Sequence, residues 1–346
     1  MYLRNSWYVM AWSKELTDQP LAIKALNESL VLFRTEDGSV AILEDRCPHR
    51  QLPLSMGTVS GNSLQCGYHG LKFDKTGNCV GVPSQDFIPP KACVKAYPSA
   101  EKYGWIWVWM GDAEKANPDT IPDFHKLSDP NYTAVGKTNY VHANYRLVAD
   151  NLLDLSHVGF VHTTTIGNAQ MGVKGQLSVN QRDDGVQVVR LIPDVPPPPT
   201  YIKTGRLPEG KNIDRWNIID FEAPCYVQIH VGGAEAGTGA LEGHYEHGLN
   251  LWILNAMTPE TEQTTHYFWA VVREHALGEP VVDKLLFSEV SAAFEEDKLI
   301  LEAQQKSISE RGGHSWAVSL QADAGCFQAK RALDKMIKQE QQSNSE

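Results

Sequence analysis

Cys47-Pro-His49 and Cys66-Gly-Tyr-His69 set two thiols and two imidazoles in short boxes of alternating type, C-x-H and C-x2-H. That set suits a two-iron, two-sulfide cluster of mixed ligation, one iron taking both cysteines and the other both histidines. Replacing two anionic thiolates by neutral imidazoles raises the reduction potential above that of an all-cysteine cluster, so the chemistry implied is transfer of single electrons. The same four ligands also satisfy tetrahedral zinc. Zinc fingers usually present one cysteine pair and one histidine pair, whereas here the types alternate. Arg50, Gly67 and Gly70 flank the boxes, and the glycines let backbone pass close to a sulfide.

A second constellation lies in YRLVADNLLDLSHVGFVH, residues 145–162. The segment has helical length and is apolar nearly all round, yet it carries Asp150, Asn151, Asp154, His157 and His162, which are costly to bury unpaired. Asp154 and His157 share a helix face, so the carboxylate can hydrogen-bond the imidazole and fix which nitrogen is free. His162 falls about 140° around the helix from His157, and both can serve one ion only if the helix bends or ends between them. Gly159 offers that break, and Thr163 to Thr165, β-branched throughout, continue a helix poorly. An acidic helix over Val290–Gln304 carries a stripe of Val290, Phe294, Asp297 and Leu301, which turns Asp297 inward and leaves Glu295 and Glu296 off the stripe. Two histidines and one carboxylate form the facial triad of non-haem Fe(II) oxygenases, with positions open for dioxygen and substrate. The alternatives are a hydrogen-bonded pair of core histidines and an inward salt-bridge carboxylate.

The elements that must position these residues are legible in outline. At 346 residues and 42% hydrophobic, the chain is long enough for two cored domains. Residues 29–44 read strand, turn, strand, with Gly38 supplying the positive φ of a hairpin. The first cysteine box follows at once, and the second leads into Leu71-Lys-Phe73 and a turn at Asp74–Gly77, so both boxes are expected at hairpin tips that face one another. Tyr103–Met110 is a strongly β-prone run that reads as a closing core strand. The expected domains are residues 1–115 and 116–346, with Pro118–Pro130 as a linker. A net charge of −11 disfavours nucleic acid and anionic membranes as partners, while suiting a basic redox partner. No basic segment followed by an apolar run opens the chain, and no apolar run is long enough to span a bilayer, so a cytoplasmic protein is expected. Cys79, Cys93, Cys225 and Cys326 read as packing thiols of a reducing compartment.

Over essentially its full length the chain resembles the oxygenase components of Rieske non-haem iron ring-hydroxylating and demethylating systems, and within them the vanillate O-demethylase type. The stretches that carry the resemblance include NSWYVMAW, CPHR, CGYHGL, YGWIWVWMGD, YRLVADNLLDLSHVGFVH, DRW at 214–216, TPETEQTTHYFW, EEDKLILEAQQ and a late DAG followed by a helix. The resemblance implies an α+β chain: an all-β Rieske [2Fe-2S] domain, then a helix-grip-like catalytic domain of antiparallel sheet and helices. It implies that Cys47, His49, Cys66 and His69 hold the cluster and that His157, His162 and Asp297 hold mononuclear Fe(II). Asp154 becomes the bridge to His69 of a neighbouring subunit in a head-to-tail homotrimer, and Asn151 lies beside the iron.

For the substrate pocket, relatives use the strand region matching Leu251–Trp269. One relative has a histidine where this chain has Asn255, which leaves the substrate open. Thr264, His266 and Phe268 alternate onto one face of that strand, with core packing as the alternative role, and Pro196–Pro199 reads as a stiff loop bordering the pocket. The activity implied uses dioxygen, with electrons from NADH through a flavin and [2Fe-2S] reductase, to hydroxylate an aryl methoxy carbon of an aromatic acid. The hemiacetal formed decays to formaldehyde and a phenol. The same iron site also serves a methyl hydroxylase or a ring-hydroxylating dioxygenase. A pure electron carrier with a non-catalytic second domain is a further alternative, although a ferredoxin of that kind ends near Gly111. A respiratory Rieske protein has extra cysteines in both boxes, where this chain has Tyr68.

Overall fold

The computed structural model describes residues 1–163, 166–167, 175–204, 206–207, 210–313 and 318–343. Thr164 and Thr165, expected to discourage helix, lie outside the described residues. The chain forms two compact units, one of Met1–Asp123 with Thr258–Glu262 and one of Phe124–Met257 with Gln263–Glu346.

The first unit is all-β. Its strands are β1 (Trp7–Trp12), β2 (Leu21–Ala25), β3 (Glu28–Arg34), β4 (Val40–Glu44), β5 (Thr58–Ser60), β6 (Ser63–Gln65), β7 (Lys72–Asp74), β8 (Cys79–Gly81), β9 (Ala96–Tyr97), β10 (Ser99–Lys102) and β11 (Trp105–Trp109). They make three small sheets ordered β1-β11-β10, β2-β3-β4-β9 and β5-β6-β7-β8. All of β11 is buried, as a closing strand requires. Val31, Phe33, Leu43, Leu64 and Phe73 join the two four-stranded sheets in one apolar cluster that includes Cys47 and Cys66.

The expected hairpins form at Gly38 (φ 84°) and Gly77 (φ 81°). At Gly77 a Cβ would sit 2.1 Å from the Val94 carbonyl oxygen, so no larger residue fits the turn. One expectation fails: only the second cysteine box is a hairpin tip, between the paired strands β6 and β7. The first lies in the crossover from β4 to β5, which belong to different sheets. That crossover closes on itself instead, with Cys47 N donating to Leu52 O at 2.9 Å and Asp45 accepting from both Ser55 N and Oγ at 2.7 Å. The segment read as a linker is packed as well. It folds into short 3-10 turns that bury Ile121 and Phe124. The unit therefore runs past residue 115 to Asp123 and also takes Thr258–Glu262, where Thr258 Oγ1 donates to Val9 O at 2.7 Å and Leu26 N to Pro259 O at 2.8 Å. A partner so distant in sequence leaves no local mark.

The second unit is a sheet of β12 (Thr133–Val141), β13 (Gln176–Gln181), β14 (Gly185–Val195), β15 (Ile213–Glu222), β16 (Tyr226–Glu235), β17 (Leu249–Thr261) and β18 (Thr264–Arg273), ordered β12-β18-β17-β16-β15-β14-β13. Its helices are α1 (Tyr145–Leu153), α2 (Val158–Val161), α3 (Pro199–Lys203), α4 (Pro280–Glu310) and α5 (Ala324–Ser343). The expected stripe of α4 is buried: Val290, Phe294, Asp297 and Leu301. Phe294 packs on Tyr267 and Trp269 of β18, with ring centroids 5.3 and 5.1 Å apart. The odd-numbered residues of β18 thus face α4. Thr264, His266 and Phe268 point to the opposite face, where the His266 ring lies 5.5 Å from Tyr140. The proline run is not a plain loop either, because Pro199 occupies the first turn of α3, where its missing N–H costs nothing. Among the described residues no helix is long and apolar enough to cross a membrane.

Candidate metal centres

The two boxes place their four donors asymmetrically. Cys47 and Cys66 are each 2% exposed, while His49 and His69 stand in solvent with ring centroids 4.4 Å apart. The loops touch through glycine backbone, since a Cβ on Gly57 would lie 2.0 Å from Gln65 O and one on Gly67 2.7 Å from Met56 O. Burial pushes the Cys47 thiol up, and the adjacent Cys66 thiol adds to it against the opposing backbone N–H of His49. A thiol held protonated by burial gives up its proton to a metal, which supplies the missing positive charge. A sulfur pair inside the apolar cluster and an imidazole pair at the surface fit a cluster with one iron sheltered and the other exposed.

The second centre begins with a broken helix. α1 ends at Leu153 because Asp154 leaves helical geometry (φ −113°, ψ 91°) and caps the next turn, accepting from Ser156 N at 2.8 Å and Ser156 Oγ at 2.9 Å. The break therefore falls at Asp154, before His157, and not at Gly159, which stays inside α2. With the Asp154 carboxylate spent on Ser156, its main-chain carbonyl does the job expected of the side chain. His157 Nδ1–H donates to Asp154 O at 2.6 Å, so Nε2 is the free nitrogen. His162, 1% exposed, donates Nδ1–H to Glu296 Oε2 at 2.6 Å. Both Nε2 atoms then turn to Asp297 Oδ1, at 3.4 Å from His157 and 3.1 Å from His162. Asn151 Nδ2 donates to the same oxygen at 3.2 Å.

One ligand atom from each of His157, His162 and Asp297 falls within a 4.8 Å cluster. Burial pushes the Asp297 carboxyl up, but the His157 and His162 imidazoles that face it outweigh burial and hold it down at about 2. Two imidazole nitrogens and a carboxylate on one side of a point are the donor set of a facial iron site. Glu296 is the residue that sequence reasoning missed, and its only signal was adjacency to Asp297, since it falls off the buried stripe. Glu296→Ala is expected to lower Fe(II) affinity at this centre about 10–100-fold. Competition with a ferrous chelator measures that loss, and the visible spectrum of the cluster is expected to stay unchanged.

Beside this cluster lies a cavity with about 740 Å³ of atom-free space. Its described walls are mainly apolar, including Leu251, Ile253, Leu286, Val290 and Phe294, and it takes in Asn151 together with His157, His162 and Asp297. Asn255 and His266 are not among its described lining residues. Asn255 is fully buried and saturated, donating to Val227 O and Ile253 O and accepting from Tyr267 Oη. Its amide stitches strands together.

A β-domain with paired Cys/His loops, joined to a sheet-and-helix domain that holds an inward 2-His-1-carboxylate cluster, defines a two-centre iron oxygenase component. Known proteins agree. The Rieske [2Fe-2S] domain matches residues 6–98, and the vanillate O-demethylase oxygenase C-terminal domain matches residues 141–339. The toluene-4-sulfonate monooxygenase system iron-sulfur subunit TsaM1 of Comamonas testosteroni is 37% identical over 98% of both chains. The vanillate O-demethylase oxygenase subunit of Pseudomonas sp. (strain HR199 / DSM 7063) is 33% identical over 99% of this chain and 97% of its own. A crystal structure of dicamba monooxygenase bound to 3,6-dichlorosalicylic acid superposes with a TM-score of 0.91 at 33% identity, covering 98% of each chain. This chain belongs to the Rieske non-haem iron oxygenases of the vanillate O-demethylase oxygenase family. It is an oxygenase that uses a Rieske [2Fe-2S] cluster and mononuclear iron.

Proposed function

We propose that this chain is the terminal oxygenase that O-demethylates a methoxylated aromatic acid, releasing formaldehyde and a phenol. The observation that carries the reading is the apolar cavity that ends on His157, His162 and Asp297. Relatives bearing the names vanillate O-demethylase and dicamba monooxygenase support it. Cys47, His49, Cys66 and His69 hold the cluster; His157, His162 and Asp297 hold Fe(II). When bound, the iron would activate O2, the oxidant, so that one oxygen atom enters a methyl C–H bond and the other leaves as water with two electrons and two protons.

The protein's own part is geometry. The hydrogen bonds of Asp154 O and Glu296 lock the two imidazoles so that each offers Nε2. Asn151 holds the Asp297 carboxylate in place, and the apolar walls exclude water from the oxidising centre. Electrons come from NADH through a separate flavin and [2Fe-2S] reductase, in keeping with relatives described as subunits or components of multicomponent systems. They cross from His69 of one subunit to Asp154 of the next in a homotrimer, in the cytoplasm. That Cys79, Cys93, Cys225 and Cys326 form no disulfide suits that compartment.

The purified protein is expected to be reddish-brown and, once reduced, to give a Rieske-type EPR signal; a colourless zinc protein would end the cluster assignment. Oxygen uptake with a reductase and a panel of methoxylated and methylated aromatic acids is expected to yield formaldehyde from the methoxylated members. A second reading, hydroxylation of an aryl methyl group, is favoured by the 37% identity to the toluene-4-sulfonate system. The same panel separates the two, because only an O-methyl group releases formaldehyde.

A further inference from the structure

The cavity wall carries two polar side chains outside the metal-ligating set. Arg215 and Asn217 sit two apart on β15, and their side chains fall on the sheet face that lines the cavity. Across the sheet Asn217 is level with Val231 of β16 and Leu251 of β17, and the next row is Ile219, Ile229 and Ile253. Asn217 is thus an amide set in a surface of branched aliphatics. It is 0% exposed, and among the described residues neither its Nδ2 nor its Oδ1 has a hydrogen-bond partner. An unpaired buried amide destabilises the fold, and one that lines a cavity marks a place where a ligand completes the bonding. Arg215, 4% exposed, brings a permanent positive charge to the same wall. Its guanidinium lies 4.8 Å over the ring of Tyr201 from α3, and its Nη atoms donate to the Ile166 carbonyl at 3.4 and 3.5 Å. The ionisable groups on the described wall are Arg215 and, at the metal centre, Asp297 and the two histidines.

We propose that Arg215 and Asn217 bind the acidic head group, a carboxylate or sulfonate, of an aromatic substrate and so present its opposite end to His157, His162 and Asp297. This deepens the oxygenase reading above and rests on the cavity being the substrate site. Arg215 supplies the charge and Asn217 Nδ2 a directed hydrogen bond, while Asn217 Oδ1 accepts from a donor substituent or a trapped water. The aliphatic rows on β16 and β17 cover one side of the ring, and Leu286, Val290 and Phe294 of α4 also line the cavity. A neutral aromatic of the same shape forgoes the charge-assisted bond that an anion makes with Arg215, and that is the source of selectivity.

The test is isothermal titration calorimetry on the holoenzyme with benzoate, 4-toluenesulfonate and their neutral counterparts benzamide and 4-toluenesulfonamide. At least one anion is expected to bind about tenfold or more tightly than its amide, and the pair that shows it identifies the head group. Asn217→Leu is expected to weaken that anion about tenfold and to leave the thermal midpoint equal or higher, because it removes an unpaired amide. A merely structural Asn217 would lower the midpoint instead. Asn217→Asp, nearly identical in shape, is expected to abolish anion binding while the amide still binds, and it keeps the test open if Arg215→Gln does not fold. Equal affinity for anion and amide, wild-type anion binding in the Asn217 variants, or no binding of either anion would overturn the proposal. Aryl methyl ethers demethylated regardless of charge would sink it while leaving demethylation standing. Asn217-dependent anion binding with no formaldehyde from any methoxylated acid would do the reverse.

Discussion

The Asp154→Asn protein is expected to purify with its cluster and its mononuclear iron in place and to turn over about 100-fold more slowly than the wild type. Asn is the substitution that isolates charge from structure here. Asp154 caps the turn that carries His157, accepting from Ser156 N and Oγ, and Asn caps a helical turn as well as Asp does. The main-chain carbonyl that fixes His157 is untouched by the change. What is lost is the negative charge that the proposed bridge to a neighbouring subunit requires. EPR of the reduced cluster and iron analysis are expected to match the wild type, with single-turnover electron transfer between the centres slowed in proportion to the steady-state rate. Asp154→Ala adds loss of the cap, and its lower stability serves as the contrast. Wild-type turnover in the Asn variant would refute the bridge.

His157→Ala is expected to empty the mononuclear centre and spare the cluster, so that the protein stays coloured and accepts electrons yet consumes no substrate. Its Fe(II) affinity is expected to fall more than about 100-fold, beyond the range that loss of a supporting partner such as Glu296 produces. The deletion removes one of three donors from the 4.8 Å cluster and leaves Asp297 with His162 and Asn151 only. His157 keeps 20% of its side chain exposed, so the fold is expected to lose only about 1 kcal/mol. Chelator titration reads the affinity and thermal melting the stability. Iron retained at wild-type strength would exclude His157 as a ligand.

How much was legible beforehand divides along a physical line. Helix periodicity is a property of a few consecutive turns, so the inward turn of Asp297 with Val290, Phe294 and Leu301 was readable from the chain. Hairpins closed by Gly38 and Gly77 were readable for the same reason, since a positive φ is a local demand. For β18, alternation names two faces without saying which one meets a helix. Only Phe294 against Tyr267 and Trp269 decides it. The break before His157 was placed at Gly159 on propensity, whereas the capping bonds of Asp154 with Ser156 outweigh a single glycine and set it earlier.

The sequence by itself determined the kinds of donor and their grouping: two Cys/His boxes, a His pair on one short segment and a carboxylate on a long helix. Those are facts of residue type and near spacing, and they define the chemistry open to the chain. Only the tertiary structure decided that Glu296 steadies His162, that Asn255 is used up in the sheet, and that Arg215 and Asn217 face the cavity. Each of those depends on hydrogen-bond partners or walls drawn from strands and helices far apart along the chain, and whether a buried polar group is satisfied cannot be known before its neighbours are in place.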